Sequence, residues 1–212
     1  MNILSETVFF KYAFISVFSL LTLMRFWFKY KSGAIHDGLP LRKEGVCLVL
    51  IRWVLGSVLI VSVVFYLFYP DLFPQCYIRM HPGLRIVGIC ISLDALFLIY
   101  LVHRELGRYF SSTLVLRNDH KLIKSGPYAV VRHPMYSSYL LLFLGSFLIS
   151  ENWCIGLLGM SIILTLMTLR IGKEEAMLLD RFGSEYEAYR NSTDMFIPFR
   201  YVLRFAKARS AS

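Results

Sequence analysis

Charge is scarce in this chain. Asp, Glu, Lys and Arg make up 17% of its 212 residues, against about a quarter in an ordinary soluble domain. With 57% hydrophobic residues and a mean hydropathy of +0.57, that scarcity excludes a soluble globular protein and indicates one membrane domain. Cysteine is scarce too. Cys47, Cys76, Cys90 and Cys154 are scattered, with no CxxC pair and no histidine at ligand spacing. They read as apolar filler, not as a disulfide or a metal site, and no metal is expected. Internal repeats and low-complexity segments are lacking. The N-terminus has no basic n-region and no small-residue cleavage site, so its first apolar run is expected to stay in the mature protein.

What the chain has instead is long apolar runs. Five are candidate spans: 8–27, 46–69 (closed by Pro70), 84–102 (running on as helix towards 109), 134–150 and 153–169. Glu151-Asn152 leaves room only for a tight turn, so the last two spans form a helical hairpin. Both are short for a hydrocarbon core of about 30 Å. The expected fold is all-α: an integral-membrane bundle of about five transmembrane helices with a C-terminal cytoplasmic helix. It is a single domain over 1–212, with N-terminal spans at 8–103, a motif-bearing half at 104–199 and a basic, frayed tail at 200–212.

With five spans the loops alternate sides, and the basic residues do not share them evenly. Arg25, Lys29, Lys31, Arg42, Lys43, Arg52, Arg104, Arg108, Arg117, Lys121, Lys124, Arg132 and every Lys and Arg from Arg170 onward fall on one side. Only Lys11, Arg79 and Arg85 fall on the other. The rich side is therefore expected to be cytoplasmic, and the C-terminus with it. The net charge of +9 reads as this topology signal plus attraction to anionic lipid headgroups. No nucleic-acid fold motif accompanies it, so nucleic acid is not an expected partner.

Two stretches carry chemistry. In the first, Ser125-Gly126-Pro127-Tyr128 should turn the backbone and let it approach a ligand closely. Arg132-His133-Pro134 then opens the fourth span, whose first amides attract anions, and Tyr136 follows. Singly, each of these could be a headgroup anchor or an aromatic-belt residue. Together they form a costly polar cluster at a membrane boundary. In the second stretch, Arg170 and Glu174 share one helix face, with Glu175 beside them. A surface ion pair would be the bland reading. Both stretches are expected at the cytoplasmic end of the same hairpin, so they meet at one mouth. Tyr186 and Tyr189 are expected to pack. Asp94, in mid-span, is expected to face the interior, pairing with Arg52 or capping a polar cavity.

These residues resemble a known family. His120-x-Leu122-Ile123, Gly126-x-Tyr128, Arg132-His133-Pro134-x-Tyr136 and Arg170-x-x-x-Glu174-Glu175 are similar to motifs of the isoprenylcysteine carboxyl methyltransferases. Phe182-Gly183-x-x-Tyr186-x-x-Tyr189 continues the pattern, and Leu106-Gly107-Arg108 with Phe110-Ser111 leads into it. A wider group includes phospholipid N-methyltransferases. The resemblance covers the C-terminal half. It departs at Ser138, where many relatives have glycine, and at Ile123, where they have valine. The resemblance implies methyl transfer from S-adenosylmethionine to a lipidic or prenylated acceptor entering from the bilayer. It places the cofactor on His120, Leu122, Ile123, Gly126, Tyr128, Arg132, His133, Pro134, Tyr136 and Glu174. It places Arg170 near the acceptor, beside Glu175, and gives Arg170 and Glu174 the catalytic roles. A carboxylate acceptor needs only a cation to position it. An amine must lose a proton, which Glu174 or Glu175 could accept. The residues leave both open, together with a thiol or an isoprenoid acid. An NADPH-dependent reductase of the sterol type and a non-catalytic scaffold are the readings from other classes.

Overall fold

The computed structural model describes residues 3–33, 46–107 and 121–200. It is a helical bundle: α1 (Ile3–Lys31), α2 (Val46–Phe68), α3 (Pro82–Leu106), α4 (Pro134–Ser150), α5 (Trp153–Phe182) and α6 (Ser184–Ser192), with short 3-10 turns between them. No strand is present among the described residues. Four helices, α1, α2, α3 and α5, are long and apolar enough to cross a membrane. The remaining expected span, the fourth in chain order, is α4, with 17 residues, or about 25 Å of helix. It spans less than a full hydrocarbon core, as its length foretold. The chain is an integral membrane protein.

Packing is centred on the hairpin. α4 lies between α3 and α5, α2 packs on α5, and α1 packs across α3 and α4. Phe10, Phe14, Ala95, Ile99, Leu142, Ile149 and Ile155 form the buried core. The α3–α4 crossing depends on absent side chains. A Cβ on Gly145 would come within 2.3 Å of Ser92 Oγ and 2.7 Å of the Gly88 carbonyl. Small residues are what let two helices approach this closely in a membrane.

That crossing also orients Asp94, and not as expected. Ser92 and Ala95 face inward, and Asp94 lies about 200° round the helix from Ser92. Asp94 is exposed and forms no ion pair among the described residues. The small residues, not the carboxylate, set which face of α3 is buried.

The cysteine expectation is also corrected. Cys76 and Cys154 form a disulfide, with Cα atoms 5.6 Å apart, although 78 residues separate them in sequence. It ties the loop after α2 to the first turn of α5. Around it, the Trp153 indole N–H donates to the Gln75 carbonyl at 2.9 Å. Asn152 caps α5 by accepting the Ile155 N–H at 3.1 Å. Arg85 braces the same end from α3. Its guanidinium lies over the Phe10 ring at 3.9 Å, donates to the Ile149 carbonyl and pairs with Glu151 at 3.3 Å. Cations are favourable at helix C-termini, and here one cation holds three segments. Lys11, on α1, meets the C-terminal end of α2 by donating to the Leu67 carbonyl.

Candidate functional site

The motif residues gather at the opposite end of the hairpin. α5 has 30 residues, about 45 Å of helix against a hydrocarbon core of about 30 Å. Its charged C-terminal stretch, from Arg170 on, therefore projects past the apolar layer. There it stands beside the start of α4.

The approach to α4 is a built loop. Ser125-Gly126-Pro127 turns into a 3-10 segment, Gly126–Ala129, as the Gly-Pro pair predicts. Gly126 has φ +58, and a Cβ there would meet the Glu105 side chain at 2.7 Å. Both the left-handed backbone and the lack of space require glycine. Ser125 Oγ–H donates to Glu105 at 2.7 Å, which docks the turn on the end of α3. Tyr189 of α6 donates its hydroxyl to the Tyr128 carbonyl at 2.7 Å. Tyr189 is thus a strut for the turn as well as a packing residue. Leu122 and Ile123, half-buried, lead into this turn. Burial pushes the phenols of Tyr128 and Tyr189 above their ordinary value.

Across the mouth the two motif stretches meet by pairs. Tyr136 donates its hydroxyl to Glu174 at 3.2 Å. His133 is buried and touches both carboxylates, with Nε2 at 3.2 Å from Glu175 and Nδ1 at 3.7 Å from Glu174. Arg132 Nε donates to Glu175 at 3.0 Å. Arg170 pairs with Glu174 at 3.5 Å, one turn along α5. Pro134 sits buried in the first turn of α4, where its missing N–H costs nothing. The hydrogen bond from His133, with help from Arg132, holds the Glu175 carboxyl down to about 2.

The two neighbouring glutamates therefore differ. Glu175 is committed to internal partners and its side chain is 15% exposed, whereas Glu174 is 26% exposed and borders the mouth. Arg132 is committed as well. Besides Glu175, it donates to the carbonyls of Arg190, at 3.0 Å, and Thr193. Of the sequence-derived candidates, Tyr136, His133, Arg132, Arg170, Glu174 and Glu175 form one connected network, and Gly126 and Tyr128 lie in the turn beside it. His120 lies outside the described residues, as do Arg108, Phe110 and Ser111. Sequence reasoning missed Glu105, the space-filling partner of Gly126, and residues 193–196, which lie against Arg132 and His133. No local pattern marks either, because both contacts are made across long sequence separations.

Residues 86–180 match the model of the Isoprenylcysteine carboxyl methyltransferase (ICMT) family, so the resemblance carried by the motifs holds over that region. The chain is 34% identical over 96 residues to protein-S-isoprenylcysteine O-methyltransferase of Schizosaccharomyces pombe, covering 44% of this chain and 41% of that protein. It is 30% identical over 95 residues to protein-S-isoprenylcysteine O-methyltransferase B of Arabidopsis thaliana, covering 44% and 48% respectively. It thus spans about half or less of the length of these relatives. Its fold is similar to a solved structure of the eukaryotic intramembrane Ras methyltransferase ICMT, with a TM-score of 0.53 and 22% identity over 88% of this chain and 68% of that one.

Proposed function

We propose that this chain is an integral-membrane methyltransferase that uses S-adenosylmethionine to methylate a lipid-linked carboxylate, with prenylcysteine the leading acceptor class. One observation carries the reading. Two stretches about forty residues apart meet as a single network of imidazole, phenol, guanidinium and carboxylates at the membrane edge. The matched family and the named relatives support the same chemistry.

The residues present fit the methyl donor. Glu174 offers a partly exposed carboxylate to a ligand carrying ammonium and sulfonium charges, and Tyr136 and Arg170 fix its direction. The Gly126 turn brings backbone close to the same mouth. His133 and Pro134 line it, with Leu122, Ile123 and Tyr128 behind. When bound, S-adenosylmethionine supplies an electrophilic methyl group on a cationic sulfur. Such a transfer neutralises charge and gains from alignment and a dry site. The protein's part is to align the groups and exclude water. Arg170 would orient the acceptor carboxylate, which needs no base. Glu175, spent on Arg132 and His133, holds the wall and takes no direct part. Arg132 is a brace in this scheme, not a ligand contact. An amine acceptor would need a base, and only Glu174 is exposed enough to serve.

Two independent signals support a cytoplasmic motif end. The basic loops favour the cytoplasm for the motif end. The Cys76–Cys154 disulfide stands at the other end of the hairpin, and disulfides persist on the oxidising side. A cytosolic donor and a bilayer acceptor would then reach one mouth.

The test is transfer of labelled methyl from S-adenosylmethionine by purified protein in lipid, against prenylcysteine, phosphatidylethanolamine and small-thiol acceptors. Ester formation on prenylcysteine supports the proposal. Label in phosphatidylethanolamine alone would reassign the acceptor. A melting-temperature shift with NADPH and none with S-adenosylmethionine would overturn it in favour of a reductase.

A further inference from the structure

Residues after α6 lie outside the matched region, 86–180, yet they are bonded directly to the motif. At Thr193 the chain leaves the helix in extended conformation, φ −126 and ψ 136. It then runs parallel to Val131, as a strap along the start of α4. The Arg132 N–H donates to the Asp194 carbonyl at 2.8 Å and the His133 N–H to the Met195 carbonyl at 3.0 Å. Ser137 donates its hydroxyl to the Phe196 carbonyl at 3.0 Å. The strap is pinned at both ends. Arg132 holds the carbonyls of Arg190 and Thr193, and Asp194 accepts the Arg200 N–H at 2.6 Å and pairs with its guanidinium at 3.4 Å.

The pinned strap delivers one ring. The Phe196 centroid is 6.0 Å from the His133 centroid, and Tyr136 lies on the imidazole at 6.1 Å. Both distances are within the range of interacting aromatic pairs. Glu175 hydrogen-bonds one nitrogen of His133 at 3.2 Å and Glu174 lies 3.7 Å from the other, but these contacts alone leave the ring free to tilt. Two rings within contact range, Phe196 and Tyr136, restrict that tilt.

We propose that Thr193–Phe196 is a wall of the methyl-donor site and that Phe196 is a positioning residue, setting the plane of His133 so that the donor meets it correctly. This rests on the methyl-donor reading above. It gives the segment after α6 a role in donor affinity that neither the motifs nor the matched region assigns.

The experiment is calorimetric titration of the full chain in detergent with S-adenosylhomocysteine, the demethylated donor, alongside ligand-free melting. Phe196→Ala should weaken binding about threefold to tenfold, the worth of one aromatic contact, while the ligand-free melting temperature stays at the wild-type value. Phe196→Tyr, which keeps the ring, should restore affinity. Phe196→Leu keeps apolar volume without the ring, should weaken binding like alanine, and decides the matter if the alanine variant does not fold. Phe199→Ala, which removes an exposed ring three residues on, should change nothing. Wild-type affinity in Phe196→Ala or Phe196→Leu overturns the strap proposal alone. Loss of affinity that tracks a lowered ligand-free melting temperature, without rescue by tyrosine, also overturns it. No binding by the wild-type protein removes the methyl-donor reading and this proposal together.

Discussion

Residue identity matters most where neighbours with the same chemistry face different partners. Glu174 and Glu175 are adjacent, but Glu174 meets Tyr136 and Arg170, while Glu175 meets Arg132 and His133. Glu174→Gln should therefore raise the donor KM, and Arg170→Ala should lower kcat and acceptor use. Each loss should cost about 2–4 kcal/mol of transition-state stabilisation if the contact lies in a dry site. Arg170→Lys should rescue poorly if the guanidinium forks onto a carboxylate. Steady-state kinetics with donor and acceptor varied separately checks this, and wild-type kinetics in both variants would leave the α5 terminus a mere solvated segment. Glu175 should show itself in pH instead. Its folded value near 2 lies below the ordinary 4.5, so its stabilisation is complete above 4.5 and is lost as pH falls towards 2. Glu175→Gln should melt lower than wild type at pH 7, and the gap should narrow as melts are taken from pH 5 downward. A gap that stays constant with pH would show that the Glu175 pairing is not what the folded state gains.

At the scale of elements, the two ends of the α4–α5 hairpin are held by different means. The motif end is held by hydrogen bonds and ion pairs that a ligand could adjust. The far end is fixed by a covalent bond, a buried cation and a capped helix start. A disulfide closing a long loop typically contributes about 2–4 kcal/mol. Cys154→Ser should accordingly lower the melting temperature in detergent, and reductant should lower the wild-type value towards that of the variant without affecting the variant further. Thiol titration should find two more reactive groups after reduction. Unchanged melting, or four free thiols in the untreated protein, would remove the disulfide from the account.

For the whole molecule, the decisive property is which end faces which compartment. Asp71, in an exposed 3-10 turn near the disulfide, and Ser184, exposed at the start of α6 beside the motif end, make a matched pair of probes. Asn152 is unsuitable, being 5% exposed and engaged as a cap. A cysteine at position 71 should react with an impermeant thiol reagent added outside intact cells. One at position 184 should react only after permeabilisation. The reverse pattern would put the motif end away from a cytosolic donor.

The sequence by itself determined the membrane class, the hairpin and the identity of the motif residues. These depend on local quantities: run length, hydropathy, a two-residue turn, and short spacings such as Arg170 to Glu174. Tertiary structure alone decided the rest. It paired Cys76 with Cys154, turned Asp94 outward, separated the duties of Glu174 and Glu175, and laid residues 193–196 along α4. Each of these depends on a helix crossing or a loop closure that joins residues tens of positions apart. Spacing along the chain carries no record of which face such a crossing buries. At the α3–α4 contact, the room left by Gly88, Ser92 and Gly145 set the face, and the charge at Asp94 followed it.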